Sequence, residues 1–176
     1  FKLDVLGFAL KNGRRRAPAA TAVSAFRLGL KTIREAVPDA FLLGCCSPYL
    51  PCVGLVDMCR VGPDTQPEWG TMIPRALHCS MERWWMFDRW FRADPDVMFT
   101  RTDRIRLTLG ECRLTVLAGI LTGVTLTSDN LGTLPAERMA LLRRAAQLRM
   151  RNVRPAKWQL NCYLNTFSGT VDGKAA

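Results

Sequence analysis

The sequence predicts an α/β fold, a partial (β/α)8 barrel that comprises about the C-terminal half of the barrel and continues into the start of a C-terminal β-domain. Short apolar runs alternate with longer segments of helical periodicity, which is typical of βαβ units with a parallel sheet. The 176 residues are too few for a complete barrel, which needs about 250. No glycine-rich phosphate loop follows a predicted strand, which argues against an open nucleotide-binding sheet.

The predicted strands and helices follow one another along most of the chain. The strands are the apolar runs 1–7, 40–46, 53–61, 90–99 and 123–127. Helical periodicity covers 21–37, 72–87, 108–123 and 135–151. In the first helix the apolar residues recur at spacings of three and four, so one stripe faces the core. Its members are Val23, Phe26, Leu30, Ile33 and Val37.

The third helix has the clearest start signal. Thr108 and Glu111 form a capping box, in which each side chain satisfies the backbone N–H of the other residue. Its inward residues are predicted to be Leu114, Leu117, Ile120 and Leu121.

Helical periodicity disappears after residue 151. A linker containing Pro155, Trp158 and Tyr163 is expected to lead into a strand over 167–171, followed by a turn at Asp172-Gly173. We therefore predict two domains, the barrel half over 1–151 and the linker with the first β-domain strand over 152–176.

Composition excludes several classes of protein. The chain is 48% hydrophobic and 23% charged, which is typical of a globular protein. No apolar run approaches the roughly 20 residues of a membrane span. The net charge of +10 comes from scattered basic residues without a nucleic-acid-binding motif. We therefore expect neither membrane nor nucleic acid as a partner.

The seven cysteines are an odd number and contain no C-x2-C pair, which argues against a disulfide framework and a zinc site. Reduced, mostly buried thiols and a cytoplasmic location are predicted. The start at Phe1 shows no signal-peptide pattern and is typical of a piece of a longer chain.

Carboxylates follow the predicted strands, at the end of the strands where (β/α)8 barrels place their chemistry. Lys2 and Asp4 lie two residues apart and therefore share a face, so the lysine would keep Asp4 ionised. Asp64 follows another strand, beyond Arg60 and a Gly-Pro turn. Two facing carboxylates, roughly 5–5.5 Å apart in a retaining enzyme, are what glycoside hydrolysis requires. The alternative is that Asp4 caps a loop and Asp64 is a turn residue.

Five motifs in order resemble the melibiase family of retaining α-galactosidases, over nearly the whole chain. They are F-K-L-D at residues 1–4, L-L-G-C-C-S-P at 42–48, G-L-V-D-M-C-R-V-G-P-D at 54–64 with Trp69, D-P-D at 94–96 with S-D at 128–129, and F-S-G-T-V-D-G-K at 167–174.

The resemblance implies a double displacement with Asp4 as nucleophile and Asp64 as general acid/base. It also implies that Lys2 contacts the galactose hydroxyls, that Arg60 helps to position the 2-hydroxyl, and that Cys45 lines the pocket wall. No metal and no organic cofactor is implied.

Three further carboxylates also follow predicted strands. Asp94 and Asp96 either contact substrate or shape their loop through backbone N–H groups, and Asp129 is expected to be structural. The sequence also departs from the family pattern at two positions. Ala93 stands where an Asn is usual, and Cys46 stands where a Gly is usual.

The expected partners are an α-galactoside and either the N-terminal half of the barrel or a second copy of the chain, since an incomplete barrel exposes sheet edges and apolar surface. Two other functions stay open: a related α-glycosidase or galactosyl-transferring enzyme with the same carboxylates, and a non-catalytic scaffold or interaction module.

Overall fold

A computed structural model describes residues 1–11, 13–15, 17, 19–70, 72–148, 150–156, 167–171 and 174–175. The predictions for Trp158, Tyr163 and the Asp172-Gly173 turn lie outside these residues. The chain divides into two compact units, Phe1–Arg60 and Val61–Ala176, which we describe separately.

The first unit is a parallel sheet with helical connections. Strands β1 (Lys2–Leu3), β2 (Leu43–Gly44) and β3 (Met58–Arg60) are parallel neighbours in that order. A 3-10 helix, Leu6–Leu10, and helix α1, Ala22–Ala36, connect β1 to β2, and the short helix α2, Tyr49–Cys52, precedes β3. The strands lie inside the predicted apolar runs but are only two or three residues long.

Helix α1 begins where the sequence predicts. The Thr21 side chain accepts a hydrogen bond from the Ser24 N–H at 3.0 Å, which satisfies one of the free donors of the first turn. Phe26 and Leu30 of the predicted stripe are buried. Val23 and Ile33 are exposed, so the prediction that the whole stripe faces the core was wrong. The covered surface is narrower than the apolar stripe.

The second unit contains the remaining elements. Helix α3 (Met72–Glu82) ends earlier than predicted and is followed by a 3-10 helix, Trp84–Met86, and strand β4 (Arg92–Asp94). Then come helix α4, a 3-10 helix and helix α5, at Leu109–Thr122, Leu131–Thr133 and Ala136–Gln147. The predicted strand at 123–127 is reduced to a single parallel bridge between Met98 and Thr127.

Helix α4 has the predicted capping box at Thr108 and Glu111. It ends at Gly123, whose φ of 69° is the left-handed conformation that favours glycine at this position. Leu114 and Leu117 are 45% and 44% exposed, so their predicted inward direction was wrong. The helix instead buries a face rich in small residues, including Cys112, Thr115, Ala118 and Gly119.

The chain after α5 differs from the sequence prediction. Residues 150–155, expected to be the helix end and the start of a linker, form strand β5 (Met150–Pro155). This strand pairs antiparallel with β6 (Phe167–Val171), and β6 pairs antiparallel with β7 (Lys174–Ala175). Strand pairing outweighs the local helical pattern here. The bounds of β6 are those predicted, and the division into domains at 151/152 stays a prediction.

Together these elements confirm an α/β organisation in which helices connect parallel strands. Two adjoining clusters form much of the core of the second unit, one around Phe99, Leu107 and Cys112 and the other around Met98 and Val116. In the described part of the chain, every helix is too short or too polar to cross a bilayer. The six described cysteines carry free thiols, of which Cys45, Cys52, Cys59 and Cys112 are buried.

Candidate active site

The strand ends of the first unit bring together four of the predicted site residues. Lys2 and Asp4 lie at the end of β1, Cys45 directly follows β2, and Arg60 ends β3. Because carboxyl ends of parallel strands meet at one edge of a sheet, these side chains form a single polar cluster. The Lys2 Nζ lies 3.4 Å from Asp4 Oδ2, as their shared face predicts. Arg60 is buried, and its positive charge acts on both Lys2 and Cys45.

The surroundings of Asp4 favour its ionised form. A hydrogen bond from the Cys45 thiol has the largest effect in lowering the pKa of Asp4. The Val5 N–H donates to Asp4 Oδ1 at 2.8 Å, and Lys2 adds a hydrogen bond and a positive charge. Partial desolvation opposes these effects but is outweighed. Asp4 is therefore a carboxylate over a wider acidic range than an isolated aspartate.

Cys45 acts as a donor rather than as a nucleophile. Desolvation and the hydrogen bond to Asp4 raise its pKa to about 11, against the opposing charges of Arg60 and Lys2. The thiol thus stays protonated at neutral pH and can keep donating to Asp4. Desolvation lowers the pKa of Lys2, but the charge of an ionised Cys45 together with the hydrogen bond and charge of Asp4 outweighs it, so the pKa of Lys2 is raised.

Two residues in the left-handed conformation follow the strand ends. Val5 has a φ of 55° and Cys46 a φ of 46°, both unfavourable for side chains other than glycine. The neighbouring backbones are joined, since the Leu6 N–H donates to the Cys45 carbonyl at 3.3 Å and the Gly7 N–H to the Cys46 carbonyl at 2.7 Å. The φ of Cys46 gives a physical reason for the Gly that is usual at this position in the resembled family.

In the second unit, Asp94 and Asp96 hold the loop that carries Asp64. Both are buried, with 0% and 7% of their surface exposed. Asp94 Oδ1 accepts from the Asp96 N–H at 2.9 Å. Asp96 Oδ2 accepts from the N–H of Thr65 at 2.6 Å and from its hydroxyl at 3.1 Å. Because Thr65 directly follows Asp64, the bond from the Thr65 N–H to Asp96 fixes the backbone next to the predicted acid/base.

Asp129 has the contacts of a structural carboxylate, in agreement with its expected role. Its Oδ2 accepts from the N–H and the hydroxyl of the buried Thr100, both at 2.6 Å. Arg101 Nη1 lies 3.7 Å from the other carboxylate oxygen. These bonds connect the segment after Met98 to the segment after Thr127, beside the isolated parallel bridge.

The structure thus groups Lys2, Asp4, Cys45 and Arg60 in one unit and Asp64, Asp94 and Asp96 in the other. The pairing of Asp4 with Asp64 crosses these units and stays a prediction. Sequence analysis missed the roles of Val5 and Thr65. Thr65 adjoins the G-P-D motif and could have been suspected, but no sequence signal marks a valine for a left-handed backbone.

The chain is similar in structure to a known α-galactosidase. A scan against protein-family models finds no match. The α-galactosidase TtGalA from Thermus thermophilus, in complex with stachyose, aligns with a TM-score of 0.72 and 31% identity, covering 82% of this chain and 33% of that one. TtGalA in complex with p-nitrophenyl α-D-galactopyranoside gives a TM-score of 0.73 at 29% identity, covering 99% of this chain and 36% of that one.

The chain spans about a third of the length of these solved structures. The similarity extends over 82% to 99% of this chain, at about 30% identity. The chain therefore has an α-galactosidase-like fold.

Proposed function

We propose that this chain belongs to a glycoside hydrolase, a retaining α-galactosidase that acts on terminal α-linked galactose. The observation that carries the proposal is the similarity to an α-galactosidase solved with stachyose and with an aryl α-galactoside, combined with an ionised aspartate at the end of β1. In this proposal the chain forms about the C-terminal half of the catalytic barrel and the beginning of a C-terminal β-domain.

The environment of Asp4 supports its assignment as the nucleophile. A nucleophilic carboxylate must be ionised when substrate binds, and the Cys45 thiol, the Val5 N–H and Lys2 all stabilise its charge. Lys2 has a second role in the proposal, since an ammonium group beside the carboxylate can donate to sugar hydroxyls. Arg60, at the end of β3, is assigned to orient the 2-hydroxyl group.

The proposed reaction proceeds in two steps. Asp4 attacks the anomeric carbon while Asp64 protonates the leaving glycosidic oxygen, giving a galactosyl-enzyme ester. Asp64 then takes a proton from water, which displaces Asp4 and releases galactose with its configuration retained. Neither step consumes a cofactor.

Asp94 and Asp96 have a positioning role toward Asp64 in this proposal. The hydrogen bond that the Thr65 N–H donates to Asp96 holds the backbone beside the acid/base, while Asp94 accepts from the Asp96 N–H and so orients Asp96. Direct contact of Asp94 or Asp96 with the sugar stays a prediction for both residues.

The test is kinetic, with the full-length gene product and aryl α-galactosides. We expect Asp4→Asn to lower kcat by about 10³-fold or more, because removal of a nucleophile eliminates the covalent step. Asp64→Asn should cost about 10²–10⁴-fold with a poor leaving group and much less with an activated one. The exposed Asp39 provides the matched control, since Asp39→Asn should retain activity.

Two outcomes would redirect the proposal. If neither Asp4→Asn nor Asp64→Asn lowers turnover, the chain is a scaffold or interaction module that retains the motifs. If both do so but α-glucosides are cleaved as fast as α-galactosides, the enzyme is a different α-glycosidase, because discrimination between epimers depends on buried hydroxyl contacts. Azide should restore turnover of Asp4→Gly, and give a galactosyl azide of inverted configuration, only if Asp4 is the nucleophile.

A further inference from the structure

We propose that Asp4, Cys45 and Cys46 form a binding site for a thiophilic divalent metal ion such as Zn²⁺ or Cd²⁺. One ligand atom from each residue, a carboxylate oxygen and two Sγ atoms, lies within 4.8 Å of the other two. The proposed reaction uses no metal, but the site shares Asp4, the carboxylate assigned as nucleophile, with it.

The fold brings the two thiols to Asp4 through backbone geometry. The left-handed conformation of Cys46, with a φ of 46°, turns the chain just after β2. The bonds from Leu6 and Gly7 to the carbonyls of Cys45 and Cys46 hold this turn against the end of β1. Consecutive cysteines in an extended strand would point to opposite faces, so the turn is what places both thiols beside one carboxylate.

A small contraction would complete the coordination. Metal–sulfur bonds of about 2.3 Å and metal–oxygen bonds of about 2.0–2.2 Å place tetrahedral ligand atoms roughly 3.5–3.8 Å apart. The atoms here must therefore approach by up to about 1 Å. Cys46 is exposed and Asp4 is about half exposed, with 49% of its side-chain surface accessible. Both can rotate toward a bound ion, and a water molecule can supply the fourth ligand.

The donor set determines the class of metal. Two sulfurs and one oxygen favour soft or borderline ions such as Cd²⁺ and Zn²⁺ over Mg²⁺ and Ca²⁺, which prefer oxygen ligands. Lys2 and Arg60 oppose a cation, because Lys2 competes for Asp4 and the Arg60 charge also acts on Cys45. The ion must also displace the Cys45 proton, so binding releases protons and is weaker than at a structural zinc site.

The inferred consequence for activity rests on the proposed function. A metal bound to Asp4 would occupy the oxygen that attacks the sugar and would inhibit the enzyme reversibly. Cys46 is the ligand that departs from the resembled family, in which a glycine cannot coordinate. Enzymes with that glycine should therefore lack this site.

The experiment measures occupancy independently of catalysis. Cd²⁺ is titrated into the purified, reduced protein while the ultraviolet sulfur-to-metal charge-transfer absorbance is recorded. We expect Cys46→Ser to weaken binding by at least about tenfold, since even partners of metal ligands contribute 10–100-fold. Asp4→Asn should weaken binding while retaining the charge-transfer band. The matched control is Cys79→Ser, on helix α3 and partly exposed, which should bind as the parent does.

The outcomes separate the metal site from the catalytic assignment. The metal proposal would be overturned if the parent and Cys46→Ser bind Cd²⁺ with equal affinity. It would also be overturned if the binding that depends on Cys46 gives no charge-transfer band. Cys46-dependent binding that leaves α-galactosidase activity unchanged would support the metal site and contradict Asp4 as the nucleophile. If EDTA restores inhibited activity in the parent, and Cys46→Ser resists inhibition, both proposals are supported.

Discussion

At the scale of single residues, the candidate nucleophile depends on a neighbouring thiol. Cys45 contributes the largest effect that lowers the pKa of Asp4, and its own raised pKa, about 11, keeps it a donor at neutral pH. The cysteine of the candidate active site therefore serves as a hydrogen-bond donor to another group rather than as a reactive centre.

Replacing Cys45 should shift the acidic limb of the pH profile. The pKa of Asp4 is depressed, so its ionised form persists to lower pH, and loss of the thiol in Cys45→Ala should raise that pKa and move the limb of kcat/KM to higher pH. Cys45→Ser restores a donor and should return the limb toward that of the parent. A limb that does not move in Cys45→Ala would contradict the assigned hydrogen bond or the assignment of the limb to Asp4.

The backbone at Val5 provides a second prediction at this scale. A side chain in the left-handed region costs about 1–2 kcal/mol, whereas glycine costs about 0.5–1 kcal/mol in unfolded-state entropy. We expect Val5→Gly to raise the free energy of unfolding by about 0.5–1 kcal/mol. Val23→Gly is the matched control, because Val23 is similarly exposed but helical, and it should destabilise. Urea denaturation of both variants measures the difference.

At the scale of elements, helix α4 depends on the absence of a side chain at Gly119. A Cβ there would lie 2.7 Å from Met98 Sδ and 2.9 Å from the Val124 carbonyl oxygen. The helix therefore packs closely against the segment of Met98, which also carries the bridge to Thr127. This close packing explains why small residues, rather than Leu114 and Leu117, form much of the buried face, to which Leu121 also belongs as predicted.

Gly119→Ala should destabilise the protein although alanine is the better helix former. Overpacking costs about 1–3 kcal/mol, which exceeds the gain of up to about 1 kcal/mol from helix propensity. Gly29→Ala in α1 is the control, since nothing lies within 4 Å of the added Cβ, and it should be stabilising. If thermal unfolding shows that both substitutions raise Tm, the close approach at Gly119 is not rigid.

The same elements show what sequence reasoning can and cannot predict. Signals carried by local chemistry are recognisable in the sequence, including the capping box at Thr108 and the shared face of Lys2 and Asp4. The exposure of Leu114 and the strand at Met150–Pro155 depend on which surfaces meet, and residue spacing does not determine that. The left-handed backbone of Cys46 was visible only indirectly, as a departure from glycine.

At the scale of the whole molecule, exposed apolar surface favours association between molecules and net charge opposes it. The first unit exposes several large apolar side chains, among them Phe8 and Leu28 at 60% and 66%. The net charge of +10 favours separation of molecules by repulsion. We propose that this apolar surface is covered either by the N-terminal half of the barrel or by a second copy of the chain.

The prediction is reversible association that strengthens with salt, because salt screens the repulsion between the basic chains. Size-exclusion chromatography with light scattering should show a larger apparent mass at higher protein and salt concentration. Leu28→Glu should reduce this association, and Thr32→Glu, at another exposed position of α1, should reduce it less. A monomer that melts cooperatively at all concentrations would contradict the proposal.

The two hydrogen bonds that join the loop after β1 to the loop after β2 also constrain recombination. The Gly7 N–H and the Cys46 carbonyl meet at 2.7 Å, and a Cβ on Gly7 would lie 2.9 Å from that same oxygen. These segments are about 40 positions apart in the chain, but the backbone of each must fit closely against the backbone of the other. A chimaera of this protein with a relative should therefore inherit both segments from one parent, because a crossover point between them would separate two backbones that fit each other closely.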